Sequence, residues 1–582
     1  MMALVVLISA ALFGAAYLVY GRYLSAQLSL DDRTETPANA LNDGVDFVPA
    51  KPSLLLGQHF SAIAAAGPIV GPVLAGLWFG WLPALLWIVV GAILVGGVHD
   101  MTSLTASIRH KATSVGELTR RYMSPLSQLL FLSFVWLALV YVIVAFTDIT
   151  AQTFKYVTDD SAFGAGVAVS SALYLVLGVA MGVCLRVFKM PLGLATAIFL
   201  PLLFLIIWVG PRMPEPLLAW VGGISAKQWD VVILAYCFAA SLAPMWILLQ
   251  PRGYLGGWFL YITIAVGFLG AIFGGYAVQY PALNVEGLNS IVNGKPMIPI
   301  LFITIACGAC SGFHAIICSG TTSKQLNKES DARRIGYGTM LLEGMVAVLA
   351  LATVMMLAPG DPMLKQDPNL VYANGLATYM GQVGVNYELA LAFALLAFST
   401  FVYDTLDVCT RLARYVLQEL MGWQGRLAGV IATALTLAVP LLILMFTKEK
   451  GWVVAWPIFG TSNQLLASLT LLAVSVWLIK TGRRAWYALA PMAFMLVVTI
   501  WSLMLHILPF VKALPAWTRG DAVIGPDMAI SGIAGLVLFA LTLFLLIEAF
   551  NVLVLRGGGP TAKPATEAAQ WFEVSIKERP MK

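Results

Sequence analysis

Apolar runs of about 20 residues, separated by short polar segments, follow one another along almost the whole chain. A run of this length crosses the ~30 Å hydrocarbon core of a membrane as a helix, because only a helix satisfies its own backbone hydrogen bonds there. Fifteen stretches qualify. They cover residues 3–20, 54–80, 81–98, 126–147, 162–184, 191–210, 231–249, 255–278, 297–322, 338–358, 387–407, 427–447, 452–479, 486–511 and 529–555.

Composition supports the same class of protein. Apolar residues make up 60% of the 582 positions and charged residues 11%, where a soluble protein carries roughly 25%. A cytosolic enzyme, a secreted disulfide scaffold and a disordered chain are therefore excluded. A net charge of +5 over this length argues against a nucleic-acid partner. We expect an all-α polytopic membrane protein in contact with the lipid bilayer, and nothing in the sequence indicates a cofactor.

The distribution of basic residues predicts the orientation. Alternate loops and the tail 556–582 together hold 25 of the 34 Lys and Arg residues, and such loops stay cytoplasmic. This places the N-terminus outside and the C-terminus in the cytoplasm. The first stretch lacks a positive leading region and is too long for a signal peptide, so we expect a retained anchor.

Two of the predicted spans carry proline and glycine deep in the membrane. Segment 54–80 contains Gly67-Pro68 and Gly71-Pro72, and segment 231–249 contains Pro244. Proline removes a backbone donor and clashes with the preceding turn, so each helix should be interrupted, in both cases about 20 Å after its start. The two segments lie five spans apart and cross in opposite directions. This pattern is typical of a five-plus-five inverted-repeat transporter, although kinks for close helix packing explain it too.

Few ionisable side chains lie inside the predicted spans, and each is costly there unless it serves a partner or a function. His59 and His314 lie among small and hydroxyl residues and are candidates to carry a coupling proton, or they donate hydrogen bonds to backbone carbonyls. Asp404 has no cation within sequence reach and is a third coupling candidate. An i,i+4 ion pair accounts for Asp407 and Arg411.

The remaining ionisable groups of the spans have simpler interpretations. Glu343 is expected to pair with the basic loop 323–337, and Glu548 lies near the end of its span. His506 lies toward the outer end of 486–511, outside the proposed repeats.

Segment 297–322 also suggests metal or hydrolase chemistry. Cys307, Cys310, His314 and Cys318 fall on one helical face, but ligands strung along about 16 Å of a helix cannot converge on one ion. We expect no metal, and a metal or redox role for the cysteines stays open. Ser311 and His314 have poor geometry for a serine hydrolase dyad. A channel is the other alternative, but the sequence contains no repeated filter loop that would support it.

Six segments of the sequence resemble the carbon starvation protein A (CstA) family. They are PAKPSLLLGQHFSAIAAAGPIVGPVLAG (49–76), GGVHDMTSLTASIRHKATSVGEL (96–118), LLQPRGYL (248–255), CGACSGFHAIICSGTTSKQ (307–325), DTLDVCTRLARYVLQE (404–419) and FGTSNQLLA (459–467). The resemblance implies a bacterial inner-membrane carrier that takes up peptides or pyruvate and has a leucine-transporter-like fold. Longer family members have an additional N-terminal helix, which we expect to be dispensable for transport.

The resemblance also implies a domain organisation. An anchor helix and a cytoplasmic loop occupy 1–53, the two inverted repeats occupy 54–210 and 231–410, and peripheral helices occupy 411–555. On this mapping the hydroxyl side chains of 297–322 form a cation or proton-linked site with the backbone of Ala64 to Gly67. They are Ser311, Ser319, Thr321 and Thr322.

A small carboxylate or a short peptide must exchange its water shell for donors at the helix interruptions. Backbone N–H groups and the positive end of a half-helix supply such donors. The predicted substrate contacts are Gly67, Ile69, Val70 and Gly71 in the first interrupted helix, with Met245 and Trp246 in the second. A peptide ammonium would also need an acid such as Asp404. Pyruvate or peptide, proton or sodium, and the oligomeric state are left open by the sequence.

Overall fold

The computed structural model describes residues 1–43, 47–157, 163–244, 246–287, 290–292, 294–447, 451–520 and 523–555. In this part of the chain nearly all regular structure is helical. The strands found there are Ile291–Val292 and Lys295–Pro296, which pair antiparallel. The predicted tail 556–582 lies outside the described residues.

The α-helices of the described residues are numbered in chain order. They are α1 Met2–Leu18, α2 Tyr20–Leu28, α3 Pro37–Ala40, α4 Pro52–Ile63, α5 Gly67–Phe79, α6 Trp81–Gly91, α7 Gly97–Ile108, α8 Val115–Tyr122, α9 Pro125–Phe154, α10 Phe163–Arg186, α11 Leu192–Val209, α12 Glu215–Gly223, α13 Ala226–Leu242, α14 Leu249–Phe273, α15 Met297–Thr304, α16 Gly312–Ile317, α17 Thr339–Met355, α18 Pro368–Gly381, α19 Tyr387–Met421, α20 Arg426–Phe446, α21 Gly451–Lys480, α22 Trp486–Thr518 and α23 Pro526–Phe550. Short π-helical segments cover Ala92–Gly96, Cys318–Thr322, Arg333–Gly338 and Asn551–Leu555, and 3₁₀ turns cover Gly210–Arg212 and Pro362–Lys365.

The fold class, an all-α polytopic membrane protein, is confirmed. Among the described residues 12 helices are long and apolar enough to cross a membrane, and two bent helix pairs raise the number to 14. The predicted count of about 15 is higher by one, and the difference lies in 297–322. That segment forms the two short helices α15 and α16 instead of one long helix.

Two long helices, α9 and α19, pack against each other through the middle of the bundle. Helix α19 begins where the side chain of Asn386 accepts hydrogen bonds from the N–H groups of Glu388 and Leu389. It runs for 35 residues and ends at Gly422, whose φ of 64° suits glycine. Almost all of its middle section is buried, so α19 is a central support for the helices around it.

The predicted interruption near Gly67-Pro68 is present. Helix α4 ends at Ile63, α5 begins at Gly67, and the two are bent by 46°. Pro68 occupies the first turn of α5, where a helix needs no N–H donor from it. The proline therefore starts the second half of this span.

The second interruption lies elsewhere than predicted. Pro244 does follow the end of α13 at Leu242, but α14 begins at Leu249 and continues for 25 residues, so Pro244 lies between two helices and not within one. A Cβ on Gly182, one turn before the end of α10, would lie 2.8 Å from the carbonyl oxygens of Trp246 and Ile247. The backbone of Trp246 and Ile247 thus packs near the end of α10. The interruption that faces the first one separates α15 from α16.

Candidate substrate and coupling sites

The two interrupted helices touch at their breaks. A Cβ on Gly67 would overlap the side chain of Cys307, and one on Gly71 would overlap the carbonyl oxygen of Thr304. The first turn of α5 therefore lies directly against the non-helical segment 305–311. Only glycine permits this approach, because any side chain would force the two backbones apart.

This contact can be tested with Gly71→Ala. We expect it to lower the free energy of unfolding by about 1–3 kcal/mol and to reduce uptake, because the overlapping atom belongs to backbone that cannot rotate away. The matched control is Gly193→Ala in α11, where a Cβ meets nothing within 4 Å. Melting temperature in detergent measures both variants. Equal melting temperatures for the two would contradict the proposed contact.

The segment between α15 and α16 is held by a side chain from α21. Asn463 Oδ1 accepts a hydrogen bond from the N–H of Phe313 at 2.9 Å and lies 3.2 Å from the hydroxyl of Ser311. Asn463 Nδ2 donates to Ser311 Oγ at 3.1 Å and to Cys307 Sγ at 3.5 Å. One amide thus contacts two side chains of this segment and satisfies the Phe313 N–H at the start of α16, which lacks a partner within the helix.

The predicted substrate contacts of α5 are buried in this structure. Gly67, Ile69, Val70 and Gly71 are all buried, and the N–H groups of Ile69 and Val70 donate to the carbonyl of Ala66 at 3.1 and 2.8 Å.

The contacts predicted after Pro244 do not join them. Trp246 lies beside Gly182 at the end of α10, and Met245 falls outside the described residues. The substrate roles of all six residues stay predictions.

Four of the predicted coupling residues meet at one small cavity. His59, Thr321, Thr322 and Asp404 all line a space of about 20 Å³, enough for about one water molecule. His59 Nδ1 lies 2.8 Å from the hydroxyl of Thr322. Ser319 does not line this cavity, and its hydroxyl donates to the carbonyl of Ala315 within its own helix. The coupling residues predicted from the sequence therefore include groups from three helices that the fold brings together at this cavity.

Asp404 is buried in contact with Arg252, a cation that hydropathy assigned to a loop. Arg252 Nε donates to Asp404 Oδ1 at 2.5 Å, and Ser61 Oγ donates to Asp404 Oδ2 at the same distance. The Arg252 side chain is fully buried in the first turn of α14. Helices α4, α14 and α19 are thereby joined by one carboxylate.

The same guanidinium also holds Asp407. Arg252 Nη2 lies 2.7 Å from Asp407 Oδ2, and the hydroxyl of Tyr236 donates to that oxygen at 2.8 Å. Arg252 Nη1 donates to the Tyr236 hydroxyl, and the hydroxyl of Tyr174 donates to the carbonyl of Arg252. We call Arg252, Asp404 and Asp407 the Arg252 cluster.

The predicted ion pair between Asp407 and Arg411 is wrong. Arg411 Nη2 donates instead to the carbonyl oxygens of Ala240 and Ala243, at 2.9 and 2.6 Å, and so caps the C-terminal end of α13. The terminal carbonyls of a helix lack partners within it, and a guanidinium satisfies two of them at once. Asp407 is left to pair with Arg252.

His314 belongs to a second buried cluster. Its Nδ1 lies 2.8 Å from Asp100 Oδ2 and its Nε2 lies 3.2 Å from Glu343 Oε2, while His99 Nδ1 lies 2.7 Å from Asp100 Oδ1. All four side chains are fully buried. We call them the His314 cluster. The prediction that Glu343 pairs with the basic loop 323–337 is wrong, because the partner of Glu343 is His314.

Sequence reasoning missed Arg252, Asp100 and His99 as site residues. Hydropathy ended the third predicted span at residue 98, yet helix α7 continues buried to Ile108. The signal in the sequence was an amphipathic pattern in 97–108. A mean hydropathy over the segment hides this pattern, because the polar and hydroxyl residues of the helix offset its apolar ones. For Arg252 the signal was its position directly after Pro251, which lies in the first turn of α14.

The cysteines of 297–322 are not arranged for a metal. Cys307 and Cys310 lie in the non-helical segment, so the single helical face assumed from the sequence does not exist. Within the described part of the chain no group of three or more His, Cys, Asp and Glu side chains could hold an ion. All six cysteines are free thiols.

The sequence model of the family "Carbon starvation protein CstA" matches residues 1–364 and 362–502. The chain belongs to the CstA family. A peptide transporter CstA of Helicobacter pylori is 33% identical over 570 residues, covering 87% of this chain and 82% of the relative. The pyruvate/proton symporter BtsT of Escherichia coli is 30% identical over 593 residues, covering 86% and 81%.

Solved structures give a weaker likeness. A manganese transporter of Eremococcus coleocola matches this CstA-family chain with 14% identity and a TM-score of 0.44, covering 88% of this chain and 99% of that one.

Proposed function

We propose that this chain is a secondary active transporter that imports pyruvate or short peptides across the bacterial inner membrane by alternating access. One observation carries the proposal, namely that two interrupted helices touch at their breaks in the interior of the bundle. Non-helical backbone at membrane depth is tolerated only where protein buries it or where it lines a cavity, and transporters place substrate and ion sites there. The names of the CstA-family relatives support the same function.

The first turn of α5 is the proposed anion site. Its positive end points at the segment 305–311, and a carboxylate held there would gain from that partial charge. Gly67 and Gly71 keep both backbones within reach of a small ligand once the two breaks separate. Trp246 gains no support for this role from its position beside Gly182.

The coupling ion is proposed to be a proton. His59, His314 and Asp404 lie within or beside two buried sets of titratable groups, and a histidine can exchange a proton near neutral pH. The relative named as a pyruvate/proton symporter supports a proton. Ser311, Ser319, Thr321 and Thr322 remain the proposed hydroxyl contacts should the ion be sodium.

The inverted repeats are proposed to start at the two interrupted helices. The first would begin at 52–79, and the second at 297–322 instead of 231. Helix α5 packs against α17, and the long helix α9 packs against α19. Each of these pairs joins a helix of the first proposed repeat to one of the second, which supports this arrangement. The N-terminus is proposed to lie outside and the C-terminus in the cytoplasm, on the distribution of Lys and Arg.

Uptake into proteoliposomes tests the function. The purified chain should accumulate labelled pyruvate or a labelled dipeptide above the external concentration when an inward proton gradient is imposed, and saturate with substrate. Accumulation driven only by a sodium gradient would show that the coupling ion is sodium and not a proton. Non-saturable flux that never exceeds the external concentration would indicate a channel, and release of free amino acids from the dipeptide would indicate a hydrolase.

A further inference from the structure

A cavity of about 220 Å³ lies where α22 meets the β-hairpin and the α15 half of the interrupted helix. Its two ionisable lining groups are Lys295 in the hairpin and His506 in α22. Trp78 and Trp456 contribute aromatic walls, and Ile303 and Thr304 form the end nearest the break. We call this cavity the Lys295 pocket.

The Lys295 pocket carries positive charge without an acidic partner. The Nζ atom of Lys295 lies 4.4 Å from the centre of the Trp78 ring, and the side chain is half-buried. Among the described residues no carboxylate lies within ion-pair distance of Lys295, and none lines the pocket. The Nε2 atom of His506 is buried and has no hydrogen-bond partner. Such a site attracts an anion that can accept hydrogen bonds from both groups.

The pocket adjoins the contact between the two breaks. Thr304 is the last residue of α15, and its carbonyl oxygen is the atom that a Cβ on Gly71 would overlap. The Lys295 pocket and helix α5 therefore both adjoin Thr304.

We propose that the Lys295 pocket binds the carboxylate of a small monocarboxylate of the pyruvate class before it enters the transport site. This rests on the proposed function and selects one of its two substrate classes. The volume is below the roughly 300–1,000 Å³ of pockets for larger ligands, which favours a small acid over a peptide. No carboxylate of the pocket lining is available to a peptide ammonium. On the predicted orientation the pocket faces the outside.

The test combines binding and uptake. Pyruvate should quench tryptophan fluorescence in detergent, with alanyl-alanine as the comparison ligand. Because Trp78 and Trp456 are two of 17 tryptophans, the part of the quenching that Lys295→Met removes is the part that reports on the pocket. In proteoliposomes Lys295→Met should raise the KM for pyruvate about tenfold with the maximal rate within about twofold, because a charge-assisted contact is lost. Lys295→Arg should restore the KM to within about threefold, and His506→Gln should raise it by a smaller factor.

Lys512→Met is the matched control, since Lys512 lies on the same helix as His506 but is exposed and outside the pocket. An unchanged KM in both Lys295→Met and His506→Gln would overturn the inference. So would a loss of maximal rate at constant KM, or a stronger fluorescence response to alanyl-alanine than to pyruvate. Wild-type protein that takes up neither compound would overturn the proposed function, while Lys295-dependent quenching by pyruvate would still support the pocket.

Discussion

Arg252→Met is expected to lower the free energy of unfolding by about 3–5 kcal/mol, enough to remove most folded protein from the membrane. The reason is that Asp404 and Asp407 would be left buried without the guanidinium that contacts both. Removing one partner of a buried ion pair costs far more than the pair itself contributes. The measurements are the yield of monodisperse protein in detergent and its melting temperature.

A neutral version of the same site separates folding from transport. Combining Arg252→Met with Asp404→Asn and Asp407→Asn removes all three charges, so folding should largely recover while gradient-driven uptake does not. Arg334→Met is the control, because that arginine is exposed. If Arg252→Met melts at the wild-type temperature, the cluster does not hold α4, α14 and α19 together.

The second large effect is expected in the His314 cluster. His314→Gln or Asp100→Asn should abolish accumulation against a gradient, so that the internal substrate concentration reaches only the external one. Counterflow exchange should be partly retained, since exchange requires binding and reorientation but no net proton movement. The physical reason is that four fully buried titratable groups in contact can hold or release a proton as a unit. His59→Gln and Asp404→Asn test the same role at the small cavity.

A buried histidine outside both clusters provides the control. His110 Nδ1 contacts the carbonyl of Ala106 and its Nε2 contacts the hydroxyl of Tyr122, with no carboxylate among these partners. His110→Gln should therefore keep gradient-driven accumulation. Normal accumulation in the His314, His59 and Asp404 variants would move the coupling site to the hydroxyl groups of Ser311, Ser319, Thr321 and Thr322.

The positions of the membrane spans and of one interruption could be predicted from the sequence. A run of 20 apolar residues has one physical solution in a membrane, and Gly67-Pro68 can only begin a helix there. The cost of burying a charge also singled out His59, His314 and Asp404 before any contact was known. These are local properties of the chain, because each depends on a residue and its near neighbours.

The partners of those residues were decided by the tertiary structure. Asp404 meets Arg252 from a helix 152 residues away in sequence, and His314 meets Asp100 from one 214 residues away. Hydropathy assigned both partners to loops. A polar residue at the end of an apolar run has the same hydropathy whether a neighbouring helix buries it or water surrounds it. Likewise Pro244 follows the end of α13 and the segment 305–311 separates α15 from α16, and only packing places the second of these against Gly67. A local pattern records where a helix must stop, whereas the faces that meet depend on how all helices fill the interior together.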